Sequence, residues 1–317
     1  MISLFMLKDN LVTEIMHGPD SLEVSMSVAS WIDLLDPTEE ERALVSSLLK
    51  SDVPDSDDVA EIEDSARCFI DQAGIHVHSL FLANKEELPE IVSVACILQQ
   101  DRLITIRDQK LADFRLFRMR AKRAQIEANT PSALLITLLE QKVENLADSL
   151  ESIHRELEKL SNTVLGEREY RPEDVVSGLA VSENRNGKIR LCLMDTQRDI
   201  SFLKKHMRTE QFVHDTCKEM ARDIDTLLSH TTFLFDKINF LMDFTQGYIN
   251  IQQNQIIKIF SIAAVVFLPP TLVASIYGMN FDYMPELKWL LGYPWALFLM
   301  VVSGIAPYWY FKRKGWL

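Results

Sequence analysis

Residues 275–289 have the sequence SIYGMNFDYMPELKW, and the interpretation of the C-terminal part of the chain depends on this segment. It ends an apolar run, because the 23 residues between Lys258 and Asp282 carry no charge. A second uncharged run, also of 23 residues, separates Lys288 from Lys312. At about 1.5 Å per residue, each run forms a helix of roughly 34 Å, enough to cross a hydrocarbon core of about 30 Å. The sequence therefore predicts two membrane spans joined by a short link.

The residues that flank the two runs predict their orientation. Lys258 precedes the first run and the basic tail KRKGWL follows the second, whereas the link DYMPELK has a net charge of −1. Basic residues stay on the cytoplasmic side of a membrane, so both ends of the chain are predicted to be cytoplasmic. Tryptophans near or inside the second run are typical of an aromatic belt: Trp289, Trp295, Trp309 and Trp316.

The charge of the chain is unevenly distributed. The 317 residues have a formal net charge of −13, but residues 257–317 contain five basic and two acidic side chains, so the first 256 residues carry −16. A long acidic part and a short basic, apolar end argue against a nucleic-acid partner and favour cations or a membrane. The cysteines are widely spaced and indicate neither a disulfide framework nor a zinc knuckle: Cys68, Cys96, Cys192 and Cys217.

Residues 1–130 show the pattern of a mixed α/β domain. Alternating apolar residues predict strands in four segments: SLFMLKDNLVTEI (3–15), GIHVHSLFL (74–82), VSVACIL (92–98) and RLITIRD (102–108). A helix is predicted in DPTEEERALVSSLL (36–49), with Asp36 as its N-cap, Pro37 in its first turn and Glu39 in a capping box.

Residues 131–256 show a helical pattern. Apolar residues recur at steps of three and four from Ile136 to Val164, which predicts a coiled-coil helix. The following segment, GEREYRPEDVVSGLAVSENRNGK (166–188), is rich in polar residues and glycine and predicts a loop that turns the chain back. A helix that begins near Phe212 then meets no proline until Pro269, so we expect a stalk that continues into the first span.

The sequence thus predicts an α/β domain, a helical region and an all-α membrane part. The predicted segments are an α/β cytoplasmic domain (1–130), a coiled-coil and stalk region (131–256), a first span (257–281), an external loop (282–288), a second span (289–311) and a basic cytoplasmic tail (312–317).

One side of the first predicted span carries small and polar residues at heptad spacing. The members of this stripe are Asn254, Ile257, Ser261, Ala264, Leu268, Thr271, Ser275 and Gly278. Such a stripe suits either a tight helix–helix contact in lipid or the wall of a water-filled pore shared by several copies. Spacing alone favours the contact. Pro269 and Pro270 interrupt the stripe and predict a kink.

The segment YGMN, followed by MPEL at the outer end of the first of two C-terminal spans, resembles the CorA magnesium channels. The resemblance extends over essentially the whole chain and includes WIDLLDP, EIEDSARCF, RLCLMDTQR and VVFLPPTLVASIYGMNF. It implies a homopentameric funnel, in which the first spans line the pore, and thereby replaces the contact interpretation of the stripe. It also implies a transporter, not an enzyme, that carries Mg²⁺ and, as secondary substrates, Co²⁺ and Ni²⁺.

The resemblance assigns roles to individual residues. Gly278, Met279 and Asn280 are expected to form the selectivity filter, in which neutral oxygens contact a hydrated ion. The stripe residues are expected to line the pore, with Leu268 and Ile257 as apolar constrictions. Glu286 in the outer loop either attracts cations or only keeps the loop solvated.

Intracellular Mg²⁺ is expected to close the channel by binding between subunits, as in the resembled family. Glu219 and Asp223, one helical turn apart, are the candidate regulatory ligands. Their partner is sought in the acidic run Asp52, Asp55, Asp57, Asp58, Glu61, Glu63 and Asp64. Two alternatives remain at this point: a zinc or cobalt transporter of the same fold, and a membrane-anchored coiled-coil scaffold.

Overall fold

The structure is a computed structural model that describes residues 1–16, 22–49, 67–83, 89–123, 125–166, 170–207, 211–280 and 284–315. The chain divides into two compact units, Met1–Met242 and Asp243–Leu317. The first unit contains a β-sheet and most of the helices. The second unit contains the two runs that the sequence predicts to span a membrane. The acidic run between Asp52 and Asp64 lies outside the described residues.

The described strands of the first unit form one seven-stranded sheet. They are β1 (Ile2–Lys8), β2 (Leu11–Ile15), β3 (Trp31–Leu35), β4 (Cys68–Ile70), β5 (Ile75–Ala83), β6 (Glu90–Leu98) and β7 (Leu103–Arg107). Their order is β2-β1-β3-β7-β6-β5-β4, in which only β3 and β7 pair in parallel. The β1–β2 and β6–β7 hairpins confirm the strands predicted from alternating apolar residues.

Helices cover both faces of the sheet. Helices α1 (Leu22–Val28) and α2 (Glu39–Leu49) pack on one face, and α3 (Ala112–Lys122) and α4 (Pro131–Gly166) pack on the other. Strand β3 is buried along its whole length, because Ile32 faces the first pair of helices while Trp31 faces α3. The Trp31 ring meets the edge of Phe117 with 5.4 Å between ring centroids. This three-layer packing confirms the predicted α/β domain.

The N-terminus of α2 differs in detail from the prediction. Asp36 has a positive φ of 45° and precedes the helix instead of capping it. Thr38 is the capping residue, since its Oγ1 accepts from the Glu41 amide at 3.3 Å and Glu41 Oε2 accepts from the Thr38 amide at 3.0 Å. The predicted capping box is therefore present, but it is formed by Thr38 and Glu41 and not by Asp36 and Glu39.

The predicted loop at 166–188 is wrong for most of its length. Helix α5 occupies Pro172–His206, with Pro172 in its first turn. Gly178 is needed for packing and not for a turn: a Cβ placed there would lie 3.2 Å from Leu160 Cδ1 on α4. Glycine at this position lets α5 approach α4 closely. The heptad residues of α4 are buried as predicted, except that Leu160 is only partly buried.

Helix α6 is continuous from Gln211 to Tyr277 and contributes residues to both units. The predicted unbroken helix from near Phe212 is thereby confirmed. After it come a 3₁₀ helix, Pro285–Lys288, and helix α7, Gly292–Arg313. By length and composition, α6 and α7 are the described helices that could cross a membrane. Helix α7 begins three residues after the predicted second span and ends two residues beyond it.

Buried polar residues connect the sheet to α4 and α5. Lys142 Nζ on α4 donates to Ser79 Oγ on β5 at 2.8 Å, and Ser79 Oγ donates in turn to Asp199 on α5. Asp195 Oδ2, one turn earlier on α5, accepts from the Leu80 amide at 2.6 Å. Burial and then the neighbouring Asp195 carboxylate raise the pKa of Asp199 to about 7, against the opposing effect of Lys142. A single buried ammonium group thus lies beside two carboxyl groups.

This arrangement predicts a pH dependence of stability. The folded state holds the proton of Asp199 up to about pH 7, whereas the unfolded chain releases it near the ordinary value of 3.8. The folded state therefore binds more protons between these values, and the contribution of Asp199 to the unfolding free energy falls as pH rises through this window. Asp199→Asn should flatten the dependence of the melting temperature of the solubilised protein on pH between 4 and 7.

The matched control is Asp236→Asn, which removes an exposed carboxyl group from α6. Its melting temperature should follow the wild-type pH dependence. If Asp199→Asn and Asp236→Asn gave the same profile as the wild type, the buried carboxyl group would not titrate as described.

Candidate functional site

The segment Gly278–Asn280 lies at the C-terminal end of α6. The Gly278 amide still donates to the Ala274 carbonyl oxygen at 2.9 Å, and the Met279 amide donates to that of Ile276 at 3.3 Å. The backbone at Gly278 is not left-handed, because the described glycines with positive φ are Gly74 and Gly315. Gly278 therefore does not end the helix in a left-handed conformation. All three residues are exposed, so their polar atoms are available to a ligand or another copy of the chain.

The stripe on α6 is exposed along its whole length in the single chain. Its exposed members include all seven residues predicted to line a pore: Asn254, Ile257, Ser261, Ala264, Leu268, Thr271 and Ser275. Leu268 and Ile257 expose 66% and 61% of their surface, so nothing in the described part of the chain covers the two apolar positions. The Thr271 hydroxyl donates to the Phe267 carbonyl oxygen at 2.7 Å, which leaves its lone pairs free to accept.

Helix α7 packs on the opposite side of α6. A Cβ placed on Gly304 of α7 would lie 3.2 Å from the Val266 carbonyl oxygen and 3.3 Å from Pro270 Cγ. Proline has no amide hydrogen, so Pro270 cannot bond to the Val266 carbonyl four residues earlier. Gly304 lets α7 approach α6 at this point. At about 100° per residue, Val266 and Pro270 lie across the helix from the stripe.

The link between the two helices is folded tightly around Glu286. The Glu286 carbonyl oxygen accepts from the Trp289 amide at 3.3 Å, and a Cβ on Gly292 would lie only 2.3 Å from the same oxygen. Position 292 therefore excludes any side chain unless the backbone moves. The Glu286 side chain is exposed. The fold of the link thus depends on the backbone of Glu286 and leaves its carboxylate directed to the surroundings.

The candidate regulatory residues belong to a larger acidic cluster in the first unit. Glu219 and Asp223 are both exposed on α6, and the charges of both act on Glu140 of α4. Burial raises the pKa of Glu140, and the neighbouring carboxylates of Glu144, Glu219 and Asp223 raise it further, while Arg120 opposes them. Among the described residues, no group of three or more histidine, cysteine, aspartate or glutamate side chains is spaced to hold a metal ion within one chain.

Glu140 was missed by the sequence analysis. It lies on the polar side of α4, next to the buried Leu139, and nothing in the local sequence distinguishes it from other exposed glutamates. Only the packing of α4 beside α6 brings its carboxylate near Glu219 and Asp223. The acidic run at 52–64, which was expected to supply the partner, cannot be compared because it lies outside the described residues.

These features define a class: a membrane protein with two C-terminal spans, an α/β domain, long helices and an uncharged polar stripe along the first span. The model of the CorA-like Mg²⁺ transporter protein family matches residues 27–313. The chain therefore belongs to the CorA-like Mg²⁺ transporter family, as the YGMN and MPEL segments indicated.

Individual relatives agree with this assignment. The chain is 45% identical over 321 residues to the magnesium transport protein CorA of Salmonella typhimurium strain LT2, with 100% of both chains covered. It is 44% identical to the protein of the same name from Escherichia coli strain K12, again over 100% of both chains. The complete structure of the CorA magnesium transporter from Methanocaldococcus jannaschii superposes with a TM-score of 0.76. That match has 20% identity and covers 100% of this chain and 99% of the other, so it concerns the fold.

The contact at Gly304 predicts a sensitive position in the second unit. Gly304→Leu would force a side chain against the Val266 carbonyl and the Pro270 ring, and overpacking of this kind costs about 1–3 kcal/mol. The melting temperature of the solubilised protein should fall by several degrees. Val302→Leu is the matched control, because Val302 is exposed and should tolerate the added methylene. Equal melting temperatures for the two variants would contradict the close approach of α6 and α7.

Proposed function

We propose that the chain assembles into a homopentameric channel that admits Mg²⁺ to the cytoplasm and that α6 lines the pore. The observation that carries the proposal is the exposed polar stripe on α6, which ends at Gly278–Asn280 and lies across the helix from α7. Membership of a family of Mg²⁺ transporters supports the choice of ion. The function proposed is transport and not catalysis, and Mg²⁺ is both the substrate and a regulatory ligand.

We assign selection of the ion to the outer mouth of the pore, which Gly278–Asn280 would form. Mg²⁺ is small, prefers octahedral coordination and gives up its waters reluctantly, so a selective site should hold the hydrated ion. Five copies of Asn280 would present amide oxygens to that hydration shell, and the backbone carbonyls of Gly278 and Met279 would add further acceptors. Neutral oxygens bind the ion weakly enough to release it. Glu286 would raise the local concentration of cations at the mouth.

Deeper in the pore, polar and apolar rings alternate. Thr271 and Asn254 would contribute acceptor oxygens, while Leu268 and Ile257 would form apolar constrictions that close the pore by excluding water. Ser261, Ala264 and Ser275 are small enough to leave room for the hydrated ion. The stripe contains no carboxylate that would trap a divalent cation.

The membrane potential would supply the driving force. A divalent ion that enters a negative interior gains about 4.6 kcal/mol per 100 mV, which is twice the value for a single charge. No nucleotide is required. Similarity to the bacterial relatives supports a bacterial inner-membrane location, and basic residues at Lys258 and at the C-terminal tail favour an orientation with both termini in the cytoplasm. Co²⁺ and Ni²⁺ have the same charge and are proposed as secondary substrates.

The acidic cluster is proposed to sense Mg²⁺ in the cytoplasm. Carboxylates of Glu219 and Asp223 repel one another and Glu140 while no cation is present, and a divalent ion bound between subunits would remove this repulsion. Binding that requires two subunits to stay close would favour the closed state. Exit of the ion at low internal Mg²⁺ would restore the repulsion and permit opening.

The mouth is tested by Asn280→Ala. The wild type and the variant are reconstituted in liposomes that contain a Mg²⁺-sensitive dye, at low internal Mg²⁺ and with a negative internal potential. Loss of the amide oxygens should reduce the initial rate of Mg²⁺ entry about tenfold or more, because contacts to a charged ligand are lost at every subunit. Asn280→Gln, which retains the amide, should recover part of the rate.

The outcomes separate the alternatives. Equal Mg²⁺ entry in the wild type and Asn280→Ala would contradict selection at the mouth. If Zn²⁺ or Co²⁺ entered and Mg²⁺ did not compete with it, the protein would be a zinc or cobalt transporter of the same fold. Absence of any flux from a folded oligomer would favour the scaffold.

Regulation is tested by Glu219→Gln combined with Asp223→Asn. Removal of both charges should raise the internal Mg²⁺ concentration that halves the entry rate about tenfold or more, equivalent to about 1.4 kcal/mol of lost binding. The control is Asp215→Asn combined with Asp225→Asn, which removes two exposed charges from the same helix. An unchanged inhibitory concentration in the first variant would exclude Glu219 and Asp223 as ligands.

A further inference from the structure

An apolar groove runs between α6 and α7 in the second unit, on the side of α6 away from the stripe. Its volume is about 600 Å³, and its lining includes Ile262, Val266 and Pro270 of α6 together with Met300, Gly304 and Tyr308 of α7. The side chains that line the groove are apolar, apart from the hydroxyl group of Tyr308. The groove is a feature of each chain and plays no part in the proposed pore.

The lining residues repeat at four-residue intervals on both helices. Ile262, Val266 and Pro270 form a row on α6, and the next position of this row toward the N-terminus is Lys258. A short connection joins the helices, so they run in opposite directions. The C-terminal end of α7 therefore lies at the same end of the groove as Lys258.

The row on α7 also ends in a lysine. Met300, Gly304 and Tyr308 are followed, four residues later, by Lys312. Its ammonium nitrogen lies 5.9 Å from the centroid of the Tyr308 ring, at the end of the apolar lining. Lys258 and Lys312 are both exposed. Each lining row is thus followed, at its next four-residue step, by a basic side chain: Lys258 on α6 and Lys312 on α7.

The dimensions of the groove suit one leaflet of a bilayer. Pro270 lies twelve positions after Lys258, and Lys312 lies twelve positions after Met300. At about 1.5 Å per residue, each distance is roughly 18 Å. Half of a hydrocarbon core of about 30 Å is about 15 Å, so this length crosses one leaflet and reaches the start of the headgroup region. An apolar chain in the groove would accordingly place its polar end at the lysines.

We propose that each chain binds one anionic phospholipid, with an acyl chain in the groove and its phosphate held by Lys258 and Lys312. Ammonium groups donate charge-assisted hydrogen bonds to phosphate oxygens, and basic residues next to a span attract anionic lipids. An apolar helix from a second copy would cover the groove but would offer no anionic group to the two lysines. The charges therefore favour the lipid. This site goes beyond ion transport and needs only that α6 and α7 lie in a membrane.

The proposal is tested by native mass spectrometry of the full-length protein. Delipidated oligomer is titrated with phosphatidylglycerol, which is anionic, and with phosphatidylcholine, which is zwitterionic. The wild type should bind phosphatidylglycerol more tightly, up to one molecule per subunit. Lys258→Gln combined with Lys312→Gln should weaken this binding about 30-fold, about fivefold for each lysine. Lys288→Gln combined with Lys314→Gln removes the same charge outside the two rows and should leave the affinity unchanged.

A second pair of variants tests the groove itself. Val301 lines the groove and Val302 does not, although both are exposed on α7. Val301→Trp should fill the groove and abolish saturable binding of phosphatidylglycerol, whereas Val302→Trp should retain it. Equal affinity for the two lipids, or equal effects of the two lysine pairs, would overturn the proposal. A third result would also overturn it: the wild type binds no lipid saturably, and Val301→Trp dissociates the oligomer whereas Val302→Trp does not. The groove would then be occupied by a neighbouring copy.

Discussion

Polar side chains in a membrane must find hydrogen-bond partners, and this requirement determines which surroundings the first span can have. Lipid hydrocarbon offers no hydrogen bonds, so a span that carries a polar stripe needs protein or water beside it. Helix α7 does not provide either, because it packs at Val266 and Pro270, on the side of α6 away from the middle of the stripe. In the proposed assembly, several copies around a common axis would satisfy the stripe with water and, at the same time, create a path for ions.

The placement of charge follows from the chemistry of the ion. The stripe contains no carboxylate, so in the proposed pore neutral oxygens would contact the hydrated ion. The carboxylates are concentrated in the first unit, where Glu140 lies beside Glu219 and Asp223. In the proposed regulation, these carboxylates would hold Mg²⁺ long enough to stabilise one state. The membrane unit and the acidic unit thus meet different requirements with different ligands.

Much of the architecture could be predicted from patterns that repeat along the sequence. Alternation predicted the hairpins, heptads predicted α4, and the lack of charge from Ile259 to Phe281 predicted the first span. Single-residue signals were less reliable. Gly178 resembled a loop residue because its packing partner, Leu160, lies on another helix and cannot be identified locally. The cap of α2 was displaced by two residues because Asp36 and Thr38 are both good capping residues.

In the candidate site, too, the repeating patterns could be predicted from the sequence and the contacts between helices could not. The stripe could be recognised in the sequence because its residues recur at heptad spacing along one helix. The Gly-Met-Asn segment could be recognised because it follows directly at the end of the uncharged run. The backbone of Gly278 and the proximity of Glu140 to Glu219 depend on how the chain packs. Spacing alone favoured a helix contact for the stripe, and only the resemblance to a family, which the family model and the relatives bear out, favoured a pore.

Thiol labelling shows which side of α6 contacts water in the conducting protein. Single cysteines are placed at Ser275 on the stripe and at Val273 on the other side, and Mg²⁺ entry into liposomes is measured before and after a charged thiol reagent. The wild type, with its own four cysteines, is the control. We expect the reagent to block entry through Ser275→Cys and to leave Val273→Cys and the wild type unaffected. Block at Val273→Cys without block at Ser275→Cys would contradict a pore lined by the stripe.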